Sequence, residues 1–271
     1  MTDSTNVNRQ PHSSGRLPAL IFDVDGVLVA SPHERAWQDA LAHLMAHDWR
    51  GVAAASSYAP QRFDTTVYQR YVSGKPRQSG ARAVLDYFQI PDAASRAVEY
   101  ARTKQALIED LIARGEFEAF ADALRFVGEA RRQGFRMAAA SSSKNANDMM
   151  ARIWLDPPAG NGQQAGKIHL LDVFEVNVCG RDVKQGKPAP DLFLLAAEEL
   201  QVPAAHCIVV EDATAGVQAA KAGGMRAIGL ARLDDAALLQ EAGADLVVTV
   251  LDDVAVEPLV MGALRREQAA G

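Results

Sequence analysis

Cysteine and long apolar runs are scarce in this sequence, and the 28 basic residues are outnumbered by 34 acidic ones. The chain has two cysteines, too few for a disulfide scaffold or a cysteine-rich zinc site. Its net charge of −6 argues against a nucleic-acid-binding surface. No apolar run approaches the ~20 residues that cross a membrane, and the first residues lack the apolar segment of a signal peptide. We therefore expect a cytoplasmic protein that binds neither nucleic acid nor membrane, and a monomer or weak oligomer.

The composition is that of a soluble globular protein. Of the 271 residues, 48% are hydrophobic and 23% are charged, which is enough to bury a sizeable core in one or two domains. The polar residues 1–16 are expected to form a disordered tail. Residues 156–169 are rich in glycine, proline and glutamine, and they predict a mobile loop.

Strand-like and helix-like segments alternate along the chain, but unevenly. A strand is expected at about Ala19 to Val24, whereas the pattern from Pro32 to about Gly115 is almost wholly helical. After Phe117 the alternation resumes, with a helix expected from Lys144. Strands separated by helices predict a doubly wound parallel α/β sheet. We expect this core at 17–30 and 118–271, with a small helical domain at 31–117 inserted after the first strand.

Two carboxylates follow the first strand directly. Asp23 and Asp25 lie two residues apart, so on an extended chain their side chains point the same way. Such a pair is repulsive and resists desolvation at the end of an apolar strand. Alone, the segment would equally fit a surface turn capped by aspartate.

Polar groups follow three further predicted strands or precede the next helix. They occur in "SSSKN" (141–145), in "GKPAPD" (186–191) and in "EDATAG" (211–216). In a doubly wound sheet these segments meet at the carboxyl edge, where ligands bind. The combined set has acids, hydroxyls and lysines, but no thiol or histidine nucleophile.

These segments carry a resemblance to a known family. "FDVDGVLV", "AAASSSKN", "GKPAPDLF" and "VVEDATAG", in this order, resemble the four signature motifs of the haloacid dehalogenase superfamily. The resemblance covers about Leu17 to Leu251, and the helical insertion resembles the small cap domain of the β-phosphoglucomutase-like branch. It implies a doubly wound sheet with a cap, and an enzyme that performs Mg²⁺-dependent phosphoryl transfer.

The resemblance also implies roles for the acidic residues. Asp23 would be the nucleophile that forms an aspartyl-phosphate, and Asp25 would be the general acid and base. Mg²⁺ would be held by the Asp23 carboxylate, the Asp25 backbone carbonyl, and Glu211 and/or Asp212. Gly26 would let the chain turn tightly, so that backbone N–H groups face the phosphate.

Three further residues are implied to bind the transferring phosphate. Ser141 is expected where a helix begins, a position that favours anions, with Ser142 beside it. Lys187 would neutralise the phosphoryl group. The alternatives are simple helix capping by one serine and a solvated loop lysine.

Substrate contacts are implied for seven residues of the cap and the core. His33 and Trp37 share a helical face at i and i+4, and Arg77 matches an arginine that holds the far phosphate. The full set is His33, Trp37, Arg77, Lys104, Ser143, Lys144 and Asn145. Each has a structural alternative, as cap core or as a solvated surface residue.

The sequence departs from the family pattern at four positions. The stretch before His33 is two residues short, with Val29 and Ala30 where threonine and aspartate are common. Gly80 and Ala213 stand where serines are usual. These departures put the identity of the sugar in doubt more than the chemistry.

Several functions fit the motifs. The preferred one is a phosphosugar mutase, and a phosphosugar phosphatase would use the same residues with water as the acceptor. A non-catalytic phosphosugar-binding protein is the remote alternative, since it would have no reason to keep Asp23, Asp25 and Lys187 together. A dehalogenase would need neither Mg²⁺ nor Asp25, so the acidic motifs count against it.

Overall fold

The computed structural model describes residues 17–155 and 166–267. Within them the chain alternates between strands and helices on both sides of a long helical block. The strands are β1 (Ala19–Phe22), β2 (Val29–Ala30), β3 (Glu118–Ala119), β4 (Met137–Ala139), β5 (Trp154–Leu155), β6 (Ile168–His169), β7 (Val176–Asn177), β8 (Cys207–Glu211), β9 (Arg226–Leu230) and β10 (Leu246–Val248). The α-helices are α1 (His33–Ala46), α2 (Arg50–Ala53), α3 (Thr65–Tyr71), α4 (Arg77–Tyr87), α5 (Ala93–Ala113), α6 (Ala121–Arg132), α7 (Ala146–Met150), α8 (Asp191–Glu199), α9 (Thr214–Ala222), α10 (Ala236–Glu241) and α11 (Val256–Val260).

Six strands form one parallel sheet in the order β10-β9-β8-β1-β4-β7. The central strand β1 is buried on both faces, and its side chains alternate between two apolar clusters. Leu20 and Phe22 pack on the side of α6, α7 and α11, whereas Ala19 and Ile21 pack on the side of α8, α9 and α10. Helices on both faces of a parallel sheet confirm the predicted doubly wound core.

Helices α1 to α5 form a separate layer that we call the cap. It has its own apolar cluster, which includes Trp37, Phe88 and Tyr100. The Tyr100 hydroxyl is buried and donates a hydrogen bond to the Trp37 carbonyl at 2.8 Å. Strands β2 and β3, which pair antiparallel, are the two crossings between cap and core. The helical insertion after the first strand is thus confirmed.

Two expected boundaries are wrong. The first strand ends at Phe22 rather than Val24, because the Val24 carbonyl accepts hydrogen bonds from the Leu28 and Val29 amides and closes a turn. The helix expected from Lys144 begins only at Ala146. Serine side chains in the preceding segment accept backbone N–H groups locally, and such hydrogen bonds compete with helix formation.

The loop expected at 156–169 ends before Ile168. Ile168 and His169 form β6, which pairs with β5, and the His169 ring stacks on Trp154. Residues 156–165 and the tail at 1–16 lie outside the described residues. None of the described helices combines the length and apolarity required to cross a bilayer.

Candidate active site

A cavity of about 260 Å³ lies between the cap and the carboxyl ends of the core strands. Asp23, next to the end of β1, is buried there with its Oδ1 3.2 Å from Nζ of Lys187. Lys187 also donates to Oε1 of Glu211 at 2.8 Å. Burial alone would lower the pKa of Lys187, but the two carboxylates raise it above its ordinary value. The lysine is therefore charged, and it compensates only one of its two acidic neighbours.

Three carboxylates form a compact acidic cluster. Asp23, Glu211 and Asp212 each present an oxygen, and these oxygens lie within 4.8 Å of one another. Burial raises the pKa of Asp23 to about 7, and burial together with Glu211 raises that of Asp212 well above its ordinary value. Asp23 Oδ1 is buried, and apart from the Lys187 ammonium at 3.2 Å it has no hydrogen-bonding partner among the described residues. Because hard oxygen donors with excess negative charge suit Mg²⁺, this set of residues fits a divalent cation.

Asp25 has different neighbours from Asp23, although only one residue separates them. Its Oδ1 lies 3.3 Å from Nε2 of His33 on the cap, and its Oδ2 accepts a hydrogen bond from the Ser141 hydroxyl at 3.2 Å. Burial would raise its pKa, but His33 and a hydrogen bond from Ser31 lower it to about 2. Opposite pKa shifts on two adjacent carboxyl groups are the pattern by which active sites assign them different tasks.

Gly26 serves the site through its missing side chain. Its φ of +81° lies in the left-handed region, and a Cβ there would overlap the Asp212 carboxylate. The amide of Gly26 donates to the Val29 carbonyl at 2.8 Å, so this N–H group is engaged within the turn. A glycine is therefore required both for the backbone conformation and for the approach of Asp212.

The segment after β4 brings one of its three serine hydroxyls, that of Ser141, into contact with an acidic residue. Ser141 is buried, donates to Asp25 and accepts from the Ser143 amide at 3.1 Å. The expectation that a helix begins at Ser141 is wrong, because α7 starts at Ala146. The Ser142 hydroxyl instead donates to the Gly74 carbonyl of the cap at 3.3 Å. Anion binding at Ser141 would therefore depend on its hydroxyl and not on a helix N-terminus.

Two further residues of this segment have different surroundings. Asn145 is buried and lines the cavity, and its Oδ1 accepts a hydrogen bond from Gln105 of the cap at 2.9 Å. Lys144 points away from the cavity, and its exposed ammonium lies 3.3 Å from Oδ1 of Asp182. The structure thus brings Asn145 into the site and leaves Lys144 at the surface.

On the cap, a buried pair faces Asp25. Lys104 Nζ lies 3.1 Å from Nδ1 of His33, and it sits 5.2 Å from the centre of the Trp37 ring. His33 Nε2 also lies 3.0 Å from the Ser143 hydroxyl. Burial and the neighbouring Lys104 lower the pKa of His33, while burial lowers that of Lys104 to about 7. His33, Trp37 and Lys104, three cap residues predicted from the sequence to contact substrate, therefore lie together at this end of the cavity.

Arg77 is the first residue of α4 and lines the cavity. It is partly buried, which lowers its pKa, and no carboxylate among the described residues forms an ion pair with it. A cation without a partner at the wall of a cavity is available to an anionic ligand.

The sequence reasoning missed several lining residues. Tyr68 and Lys75 come from the cap, and Arg232, Leu233 and Asp235 follow β9. Tyr68 has a strongly raised pKa, because it is buried and close to the acidic residues. The segment after β9 had a signal, since it also follows a buried strand at the carboxyl edge of the sheet.

Sequence comparison identifies the class of protein. Residues 17–224, more than half of the chain, match the haloacid dehalogenase-like hydrolases, and the chain belongs to this family. It is therefore an enzyme of the haloacid dehalogenase superfamily. Members of this family generally use Mg²⁺, and the acidic cluster is compatible with that metal.

Particular relatives narrow the branch to that of β-phosphoglucomutase. The chain is 32% identical over 255 residues to a Mycobacterium bovis protein named β-phosphoglucomutase, with 88% of this chain and 92% of the relative covered. It is 28% identical over 235 residues to a Thermotoga maritima protein named phosphorylated carbohydrates phosphatase, with 86% and 94% covered. The crystal structure of an archaeal β-phosphoglucomutase from Pyrococcus sp. strain ST 04 superposes with a TM-score of 0.64 at 28% identity, with 90% and 99% covered.

Proposed function

We propose that this enzyme transfers a phosphoryl group on a phosphosugar through an aspartyl-phosphate, as a phosphosugar mutase of the β-phosphoglucomutase type. One observation carries the proposal. The carboxylate that would activate the acceptor, Asp25, is contacted by His33 from the cap. Activation of the acceptor then depends on the position of the cap, which is what a mutase needs to exclude water.

Asp23 and Asp25 would divide the chemistry between them. A carboxylate oxygen of Asp23 attacks phosphorus and the bond to the leaving sugar oxygen breaks, while Asp25 gives that oxygen its proton. In the second step Asp25 takes a proton from the acceptor hydroxyl, which attacks the aspartyl-phosphate and frees Asp23. Without substrate Asp25 is ionised, and a nearby phosphate dianion raises its pKa and lets it hold the proton.

The remaining core residues would bind the transferring group. Lys187 neutralises its charge and Ser141 donates a hydrogen bond to it. Asp23, Glu211 and Asp212 would hold Mg²⁺, with the Asp25 backbone carbonyl as the family resemblance implies. The metal would supply the positive charge that offsets repulsion between these carboxylates and a phosphate.

The far end of the substrate would lie under the cap. We assign Arg77 to the non-reacting phosphate and add Lys75, which lines the same cavity two residues earlier. His33, Lys104, Ser143 and Asn145 would orient the sugar hydroxyls. The cap boundaries at 30/31 and 117/118 are part of this proposal, because the β2–β3 crossings adjoin them. A cytoplasmic location and a monomeric or weakly oligomeric state stay predictions.

A phosphosugar phosphatase is the second candidate. The Thermotoga relative named a phosphorylated carbohydrates phosphatase supports it, since it matches nearly the whole chain. The residues and the first chemical step are the same in both candidates. They differ only in whether water or a sugar hydroxyl accepts the phosphoryl group from Asp23.

The two candidates separate in a primed turnover experiment. The purified protein, with Mg²⁺, receives β-glucose 1-phosphate and a trace of a hexose bisphosphate, and phosphorus NMR follows the products. A mutase forms glucose 6-phosphate faster than inorganic phosphate. Dominant phosphate release across a panel of primed sugar 1-phosphates would replace the mutase by the phosphatase. No turnover of any phosphate ester would remove the proposed function.

A further inference from the structure

Arg232, in the loop after β9, joins three separate segments of the chain. Its Nε donates to the Gly26 carbonyl at 3.1 Å and its Nη2 to the Val27 carbonyl at 3.3 Å. The same Nη2 lies 3.2 and 3.0 Å from the two carboxylate oxygens of Asp122. The guanidinium carbon lies 3.7 Å from the centre of the Phe120 ring. All of these contacts meet at the edge of the cavity.

The segments that Arg232 joins are the ones that connect the reacting groups to the cap. Gly26 and Val27 directly follow Asp25. Phe120 follows β3, the second crossing, and its amide donates to the Leu28 carbonyl at 3.0 Å. One side chain thus ties the backbone next to Asp25 to the crossing about which the cap would move.

The geometry suits arginine and no other side chain. A planar guanidinium can serve two carbonyls and a carboxylate at once while its face stacks on an aromatic ring. The Arg232–Asp122 pair is nearly buried, with side-chain exposures of 13% and 9%. Asp122 also accepts a hydrogen bond from the Leu251 amide at 2.7 Å. Removing one partner of a buried ion pair leaves the other charge buried without a partner, so breaking this contact is costly in free energy.

We propose that Arg232 is a positioning residue, which fixes the backbone carrying Asp25 to the second cap crossing. Because the backbone carrying Asp25 and the second crossing are held together, closure of the cap places His33 beside Asp25 in one reproducible arrangement. Arg232 acts through these protein groups and takes no part in bond making. The inference rests on the proposed function only in its last step, the use of Asp25 as acid and base.

Arg232→Lys tests this directly, because lysine keeps the charge beside Asp122 but cannot reach both carbonyls and the ring. Arg125→Lys is the matched control, since Arg125 forms a two-point pair with Asp252 on the exposed side of α6. Amide hydrogen exchange in peptides covering 23–30 and 117–123 should quicken about tenfold in Arg232→Lys and stay unchanged in Arg125→Lys. Unchanged exchange in Arg232→Lys would overturn the proposal. This readout needs no substrate, so it stands even if the proposed function fails.

Kinetics supply the second readout. With a small aryl phosphate, Arg232→Lys should lose about 10- to 100-fold in kcat with little change in KM, the range expected for a misplaced catalytic group. A raised KM with normal kcat would mean that Arg232 binds substrate, and it would overturn the positioning role. If Arg232→Lys does not fold, Arg232→Met combined with Asp122→Asn removes the stranded charge. That double variant should show the same faster exchange and the same fall in kcat.

Discussion

Lys104 Nζ and Nδ1 of His33 lie 3.1 Å apart inside the cap. As an ammonium, Lys104 can only donate a hydrogen bond, and the ionised Asp25 can only accept one, so Nδ1 of His33 is the acceptor and the ring proton of the neutral imidazole is on Nε2. This nitrogen lies 3.3 Å from Oδ1 of Asp25. A lysine of α5 thereby fixes the tautomer that the cap presents to the core.

Replacing Lys104 by methionine should change which acceptor receives the phosphoryl group. Lys104→Met keeps an apolar stem beside Trp37 but frees the His33 ring to rotate. The ratio of sugar phosphate to inorganic phosphate formed from a primed sugar 1-phosphate should then fall about tenfold, the size of effect expected when acceptor orientation is lost. Lys221→Met, which removes a surface lysine paired with Asp245, is the control. An unchanged ratio in Lys104→Met would mean that the Lys104–His33 pair has only a structural role.

Asparagine substitutions should separate the roles of the two aspartates. Asp23→Asn should lose at least about 10³-fold in turnover, as expected when a nucleophile is removed. Asp25→Asn should still accept a phosphoryl group from an aryl phosphate, whose leaving group needs no acid, but should release it slowly. Mass spectrometry of the intact protein should therefore find covalent phosphate on Asp25→Asn and none on Asp23→Asn. A phosphorylated Asp23→Asn enzyme would exclude the aspartyl-phosphate mechanism.

The part of the site that was predictable from the sequence follows from one rule. Asp23, Lys187 and Glu211 are polar residues in short segments beside buried strands, and parallel strands bring these segments to one edge. The rule gave the architecture and the core set of charged groups. It could not give the opposite pKa shifts of Asp23 and Asp25, because these depend on which partner approaches each carboxyl group.

Other features depend on contacts between segments distant in the sequence. From the sequence, Tyr68 is indistinguishable from the other apolar positions of its helix. It lies near the acidic residues only because the cap packs over the carboxyl edge of the sheet. Arg232 follows a short strand late in the chain, and its partners lie more than a hundred residues earlier. The helix expected from Lys144 begins late for a local reason, since serine side chains accept hydrogen bonds from the amides of Ser143 and Asn145 just before it.

Magnesium should stabilise the protein against heat, and more at pH 8 than at pH 6. The folded-state pKa of Asp23 is raised from 3.8 to about 7, and that of Asp212 is also raised. The folded metal-free protein therefore binds more protons than the unfolded one, and its free energy of unfolding falls as pH rises toward 7. A cation that binds these carboxylates opposes this loss.

Melting temperatures with excess chelator and with Mg²⁺, measured across this pH range, check that expectation. Asp212→Asn should reduce the rise in melting temperature that Mg²⁺ causes at pH 8, because it removes a carboxylate that donates an oxygen to the metal and whose pKa is raised. Equal melting temperatures with and without Mg²⁺ at pH 8 would argue against a cation at the acidic cluster. Because no turnover is measured, the result is independent of substrate identity.

Gly186 and Pro76 define a contact through which the cap lies on the core. A Cβ at Gly186 would overlap the Pro76 ring. Gly186→Ala should hold the cap away from the sheet and cost at least about tenfold in kcat/KM on a phosphosugar, but little on a small aryl phosphate. Gly51→Ala, where an added methyl group meets nothing within 4 Å, is the control. Restoring space with Pro76→Gly should recover phosphosugar turnover, and failure of this rescue would mean that the alanine acts within the core.

Arg77→Ala should discriminate between substrates by size. If Arg77 holds the non-reacting phosphate, its binding energy helps to close the cap, and that energy is lost only for substrates that carry the second anionic group. We expect kcat/KM to fall about 100-fold for the phosphosugar and less than about threefold for a small aryl phosphate. Arg82→Ala, on the same helix but paired with Asp86 in solvent, should leave both values unchanged. Equal losses on the two substrates would assign Arg77 to cap structure, and the far phosphate would then need another partner, for which Lys75 is the nearest candidate along the chain.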